Sequence, residues 1–154
     1  MAKGHSSGAG HRGRSGRRDA GRTKARYARE EGPAAQIAGV REGLPLARLE
    51  ETAELLQVDR GRLAALLDVS MRTLQRKAEG GARLDPAASD RLARIRRIHA
   101  LATHVLGEPA RAARWMTAAN RHLGGDAPLQ LLDTDMGTQL VQQELREIEF
   151  GMPA

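Results

Sequence analysis

The chain has 154 residues, enough for one compact domain with extensions or for two small domains. It contains no cysteine, which excludes disulfides and cysteine-based zinc sites. No apolar run reaches the roughly 18 residues that a membrane span needs, and no stretch reads as a signal peptide. We therefore expect a soluble, cytoplasmic protein with no membrane partner. Because aromatic residues are scarce while Leu and Ala dominate, the composition predicts an all-α fold.

The net charge of +6 is unevenly distributed along the chain. Residues 1–32 hold nine Lys/Arg and three Asp/Glu, and residues 60–97 hold ten and four, so each segment carries a net charge of +6. Residues 120–154 hold two Arg and six Asp/Glu, a net charge of −4. A basic segment indicates a polyanionic partner, but it can equally be a solvated face. Charge alone leaves both interpretations open.

The first segment, residues 1–33, is predicted to be a disordered basic tail. It is rich in Gly, Arg and Ser and poor in apolar side chains, so folding would bury too little surface to offset the loss of chain entropy. Two interpretations of the tail remain open. It is either an arm that binds phosphates regardless of sequence or a dispensable extension.

From about Gly43 onward, apolar residues recur at the helical spacings of three and four. The predicted helices are one that contains Leu49, Ala53 and Leu56, followed by residues 60–67, 71–79, 86–106, 109–118, 128–132 and 135–149. Asp59, Ser70 and Asp85 are the predicted N-caps. In the helix over residues 86–106, an apolar stripe is predicted: Leu92, Ile95, Ile98, Ala102 and Val105. In the last helix, Val141, Leu145 and Ile148 are expected to form the buried face, with Leu140 beside it.

The two short helices between residues 60 and 79 predict a helix-turn-helix, within a domain over residues 43–82. Apolar packing between these helices would leave one face of the second helix free, and that face supplies the DNA-binding candidates: Ser70, Met71, Arg72, Gln75, Arg76 and Lys77. Arg can bond guanine and Gln can bond adenine in the major groove, while Lys and Ser reach phosphates. The alternative is a structural hairpin with a solvated polar face.

The stretch Leu63-Ala64-Ala65-Leu66-Leu67-Asp68-Val69-Ser70 resembles the Xre/Cro repressor family. That family usually has Gly in the turn, where this chain has Asp68. Because Asp tolerates a left-handed backbone less well than Gly, this departure predicts a remodelled turn and weaker DNA binding.

Residues 85–154 are expected to form a second helical domain with an ordered set of pattern residues: Trp115, Asn120, Leu123-Gly124-Gly125, Pro128, Leu131-Leu132, Gly137, Val141, Leu145, Ile148-Glu149 and Gly151. Their own chemistry indicates that Gly124 and Gly125 allow a sharp reversal and that Asn120 bonds loop backbone groups. Trp115 is either a core residue or an interface anchor. In order and spacing the set resembles the toxin-binding domain of Xre/MbcA/ParS antitoxins. The resemblance covers about residues 43–151.

This resemblance implies a protein partner, a RES-domain toxin that consumes NAD⁺ and whose active site the C-terminal region blocks. The implied toxin-binding residues are Trp115, Asn120, Gly124, Gly125, Glu149, Phe150, Gly151 and Met152, and residues 149–154 are the blocking segment. Operator DNA is the second implied partner, so that the chain represses its own operon. The expected assembly is a homodimer within a toxin–antitoxin complex.

Catalysis is not predicted, and neither a cofactor nor a metal is expected. The five histidines are scattered, and His99 and His104 are five residues apart, not the four that metal pairs on a helix use. Two alternatives to an antitoxin remain. One is a plain helix-turn-helix transcription regulator whose C-terminal domain dimerises. The other is an RNA-binding protein led by the basic tail, against which the lack of aromatic stacking residues argues.

Overall fold

The computed structural model describes residues 32–78 and 82–151, and the side chains of Lys77 and Ala78 lie outside the description. Residues 1–31, which hold most of the predicted tail, also lie outside it. The described residues form α-helices and a short 3-10 helix at Arg121–Leu123. The α-helices are α1 (Pro33–Glu42), α2 (Leu46–Leu56), α3 (Arg60–Leu66), α4 (Met71–Ala78), α5 (Pro86–Leu106), α6 (Pro109–Thr117), α7 (Pro128–Leu131) and α8 (Asp135–Glu149). The all-α prediction is confirmed. None of these helices is both long and apolar enough to cross a membrane.

The helices begin at the caps that the sequence predicts. In each case a side-chain oxygen accepts a backbone N–H of the first turn at 2.9–3.1 Å: Asp59 from Arg62, Ser70 from Thr73, and Asp85 from Ala88. The first N–H groups of a helix have no partner within it, so loss of such a cap costs about 1 kcal/mol. The local chemistry of the chain therefore sets where α3, α4 and α5 start.

One hydrophobic core extends through the helices from α2 to α8. The predicted apolar stripe of α5 is buried at Leu92, Ile95, Ile98 and Ala102. Helix α5 contacts α1, α2, α6 and α8, while α2 packs against α6 as well as against α3 and α4. The helices of the predicted DNA-binding part and those of the C-terminal part therefore share their core.

Helix α1 is a feature that the sequence reading does not predict. It buries none of its residues, and Ile37 stays exposed, so it has no apolar stripe that periodicity could detect. Its neighbour is α5, and these two helices, together with Asp135 of α8, line a polar groove of about 570 Å³ whose walls include Arg41 and Arg94. Helix α1 therefore lies against α5, a contact between distant parts of the chain that local sequence patterns do not reveal.

Candidate functional site

Helices α3 and α4 form the helix-turn-helix unit that the sequence predicts. The apolar side chains between the two helices are buried, namely Leu63, Leu67 and Leu74. Val69, the apolar residue of the turn, is buried as well. Both helices pack against α2, which places the unit on the common core. Backbone N–H groups of Asp68 and Val69 donate back into α3 at 3.0 and 2.9 Å, and this closes the turn.

Asp68 occupies a left-handed backbone conformation in this turn, with φ +60°. Arg91 of α5 reaches the same place: its Nη1 donates to the Leu67 carbonyl at 3.1 Å and lies 3.8 Å from the Asp68 carboxylate. Because Asp68 is exposed, the ion pair contributes little, and the bond to the carbonyl is the firmer link. The turn is thus tight with an aspartate in the glycine position. The predicted weakening of DNA binding stays a prediction.

The outer face of α4 carries the DNA-binding candidates. Met71, Arg72, Gln75 and Arg76 are exposed, whereas Leu74 faces the core. Ser70 is exposed at the start of the helix. Its Oγ is engaged as the N-cap and lies 2.8 Å from Thr73 Oγ1. The Lys77 side chain lies outside the described residues, so the structure shows five of the six candidates exposed on α4 or at its start.

Asn120 organises the loop between α6 and α7. Its carbonyl accepts the N–H groups of Leu123 and Gly125 at 3.1 and 2.9 Å. Its Oδ1 accepts the N–H of His122 at 2.9 Å. Gly124 and Gly125 have φ values of +75° and +95°, which reverse the chain where a larger residue would be strained. The loop role that the sequence reading gives to Asn120 and these glycines is present in the structure.

Glu144 of α8 is a buried carboxylate that faces this loop, with its side chain 8% exposed. Its Oε1 lies 2.9 Å from His122 Nδ1 and 3.5 Å from Asn120 Nδ2. A carboxylate only accepts hydrogen bonds, so Nδ1 carries the proton and donates it. Neither His122 nor Glu144 is among the residues predicted from the sequence, because the two are 22 positions apart and no spacing signals their contact.

Large apolar side chains are exposed along α8 and just after it. At its C-terminal end, Ile148 is exposed and Phe150, just after the helix, is 72% exposed. Met136 in the first turn and Leu140 in the middle of the helix are also exposed. The prediction that Ile148 is buried is wrong. It is 38% exposed, because the packing that buries Val141 and Leu145 ends before the last turn of α8.

Two other members of the predicted toxin-binding set, Glu149 and Gly151, lie at the C-terminal end of α8. Glu149 is exposed, with its Oε1 3.6 Å from His104 Nε2. Gly151 takes a φ of +62° after the helix, and Met152 lies outside the described residues. Trp115 is half-buried on α6 and packs against the common core, so its indole is only partly open to a partner.

The structure joins part of this set and leaves part of it separate. The Asn120–Gly125 loop meets α8 at Glu144, and Phe150 follows six residues later, about 9 Å farther along the helix. Trp115 contributes to the core side of α6 instead. The loop and the end of α8 are therefore the two neighbouring parts of the candidate site.

His99 is a buried titratable group that lies away from these surfaces. Its Nε2 donates to the carbonyl of Pro109 at 3.3 Å, which ties α5 to the start of α6. Burial lowers the pKa of His99, the hydrogen bond to Pro109 opposes this shift, and the charge of Arg96 adds to it. Within the described ranges, no group of three or more His, Cys, Asp or Glu side chains is placed to hold a metal ion.

Two protein-family models match the chain, one for each surface. The antitoxin Xre-like helix-turn-helix domain matches residues 35–97, which include α3, the turn and α4. The C-terminal toxin-binding domain of antitoxins Xre/MbcA/ParS matches residues 101–151, which include the Asn120 loop and α8.

Curated proteins that are both named antitoxin Xre also match the chain. The chain is 34% identical over 106 residues to antitoxin Xre of Pseudomonas putida, a match that covers 69% of this chain and 64% of that protein. It is 28% identical over 112 residues to antitoxin Xre of Photorhabdus laumondii, covering 72% and 76%. This chain thus spans slightly less than two thirds of the Pseudomonas protein. With both domains matched in order, the chain belongs to the family of Xre/MbcA/ParS-type antitoxins.

Proposed function

We propose that this chain is the antitoxin of a type II toxin–antitoxin pair, which binds and blocks a RES-type, NAD⁺-degrading toxin and represses its own operon. The observation that carries the proposal is the exposed apolar end of α8, which lies inside the segment that matches a toxin-binding domain. Neighbouring large apolar side chains that stay exposed, as Ile148 and Phe150 do at this end, are typical of a binding surface. Phe150, at 72% exposed, is its most prominent member.

The chemistry of this end suits the active site of a partner enzyme. An aromatic ring such as Phe150 gains most of its binding energy when a pocket removes it from water. Glu149 beside it and the net charge of −4 over residues 120–154 complement a pocket lined with basic groups. Residues 149–154 would then fill the entrance that NAD⁺ uses.

The operator half of the proposal is supported by the exposed face of α4. Arg72, Gln75 and Arg76 are the side-chain types that read base edges in the major groove, and the surrounding segment 60–97 carries a net charge of +6. A helix-turn-helix protein reads two half-sites as a dimer, so the proposal includes a homodimer within the complex.

Co-expression with the protein encoded by the adjacent gene tests the toxin half. That protein alone should deplete cellular NAD⁺ and stop growth, and the full chain should restore both. The matched control is the Phe150→Asp chain, which should fold but restore neither. An adjacent protein that is harmless alone, or that stays toxic beside the wild-type chain, refutes the proposal.

The same apolar surface favours one alternative, a plain transcription regulator whose C-terminal domain dimerises. A second copy of the chain would also cover Leu140 and Phe150. Analytical ultracentrifugation of Leu140→Asp and Phe150→Asp separates the two functions. A dimer lost in these variants, together with no binding of the adjacent protein by wild type, would establish the alternative.

A further inference from the structure

The Asn120–Gly125 loop is closed on itself, and its side-chain link to α8 goes through Glu144. Beside the bonds to the Asn120 carbonyl, the N–H of Asn120 donates to the Asp126 carbonyl at 3.1 Å, so both ends of the loop meet. The side chain of Asn120 uses both of its polar atoms, with Oδ1 on the His122 N–H and Nδ2 on Glu144. His122 adds the shorter bond, 2.9 Å from Nδ1 to Glu144 Oε1.

A carboxylate as buried as that of Glu144 is costly to keep in a fold. Removal of a charge from water costs several kcal/mol unless partners replace the lost hydration. An apolar residue at this core-facing position of α8 would often be equally or more stable. The Glu144 carboxylate therefore serves to hold the Asn120–Gly125 loop in place more than to stabilise the fold, since both of its side-chain donors come from that loop.

We propose that His122 and Glu144 are positioning residues, which lock the Asn120–Gly125 loop against α8 and so present the loop and the Phe150 end as one preformed toxin-binding surface. This inference rests on the proposed toxin binding. Neither residue belongs to the pattern through which the chain resembles its family. A preformed surface binds more tightly because its loop is ordered before the partner arrives.

Four full-length variants test the lock. His122→Ala and Glu144→Leu remove it from either side. His122→Asn and Glu144→Gln are the conservative controls, because an amide can still donate from residue 122 or accept at residue 144. Binding to the purified adjacent-gene protein is measured by calorimetry, and thermal unfolding of each free variant is measured in parallel.

We expect Glu144→Leu and His122→Ala to weaken binding about tenfold, the scale of a hydrogen bond to a charged group. Glu144→Leu should keep or raise the melting temperature, and the conservative variants should bind within about threefold of wild type. A residue with a merely structural role would instead lose stability and binding together. Wild-type affinity in Glu144→Leu, or no rescue by Glu144→Gln, overturns the proposal.

A second measurement without the partner separates failure of the lock from failure of the proposed function. Hydrogen exchange of the Leu123 and Gly125 amides in the free chain should accelerate in Glu144→Leu and stay near wild type in Glu144→Gln. Unchanged exchange in Glu144→Leu refutes the lock even if the chain binds the toxin. Faster exchange, with no binding of the adjacent protein by wild type, refutes the toxin and leaves the lock standing.

Discussion

Substitution of Gly137 by alanine should destabilise the protein, although alanine is the better helix former. Gly137 lies in the first turn of α8, where its N–H bonds Thr134 Oγ1 at 3.0 Å. A Cβ at this position would meet Leu131 of α7, 2.9 Å from its carbonyl carbon, 3.0 Å from its Cβ, and closer still to its carbonyl oxygen. The two carbonyl atoms belong to the backbone, and Cβ is fixed to it, so no side-chain rotation can move these atoms away.

The magnitude follows from two opposing contributions. Alanine gains up to about 1 kcal/mol over glycine in a helix. Carbon atoms pack at about 3.5–4.0 Å, so α8 must move away from Leu131, and such overpacking costs about 1–3 kcal/mol, at the upper end against backbone. We expect Gly137→Ala to lower the free energy of unfolding by about 2 kcal/mol and the melting temperature by roughly 8 °C.

Urea unfolding followed by circular dichroism measures the effect, with Gly39→Ala as the matched control. Gly39 is also helical, but a Cβ there would lie 3.7 Å from Leu44 Cδ2, an ordinary contact. The control should therefore be neutral or stabilised by up to about 1 kcal/mol. If Gly137→Ala is as stable as Gly39→Ala, the close approach of α8 and α7 is not what requires glycine.

Four further predictions concern the two surfaces and the core. Phe150→Asp should weaken toxin binding at least tenfold while the melting temperature stays within about 2 °C, because the ring is exposed in the free chain; an unchanged dissociation constant counts against the plug. Arg76→Ala should weaken operator binding by about 1–3 kcal/mol in a gel shift, and survival of both affinity and sequence preference would show that α4 is not the reader. Asp68→Gly should raise the free energy of unfolding by up to about 1 kcal/mol, because glycine adopts φ +60° without strain; a loss would show that the contact with Arg91 outweighs the strain. His99 is favoured as the neutral form in the folded state, so its contribution to stability is complete above about pH 6.5 and is lost as the pH falls below that value, where the unfolded chain binds the proton first. In His99→Gln, this part of the acid-side loss of stability should disappear, and an unchanged pH profile would contradict the assignment.

Sequence reasoning predicted those parts of the fold whose cause is local. The caps at Asp59, Ser70 and Asp85 are present because a side-chain oxygen three residues before a free N–H is enough to place a helix start. The α5 stripe was predicted because its period matches a helix with one buried face. Helix α1 was missed because it buries no residue, and Ile148 was misplaced because periodicity cannot show where a neighbouring element ends.

The candidate site was predictable to the extent that it depends on residue type. Asn followed by paired glycines indicates a tight loop, and Arg and Gln on a short helix indicate a polar face. The contact of His122 with Glu144 and that of Arg91 with the Leu67 carbonyl were not predictable, since each joins residues more than 20 positions apart. Such pairs depend on how helices pack, which the chain order does not display.

The shared core of α2, α5 and α6 has a consequence for the lifetime of the protein in a cell. A protease cleaves chains that have unfolded at least locally. Because α4 and α8 pack on the same core, unfolding of that core disrupts both helices in one event. A partner bound at either end adds its binding free energy to the whole folded body. A partner bound at one surface would therefore protect the other surface from degradation as well, and a free chain would lose both surfaces together.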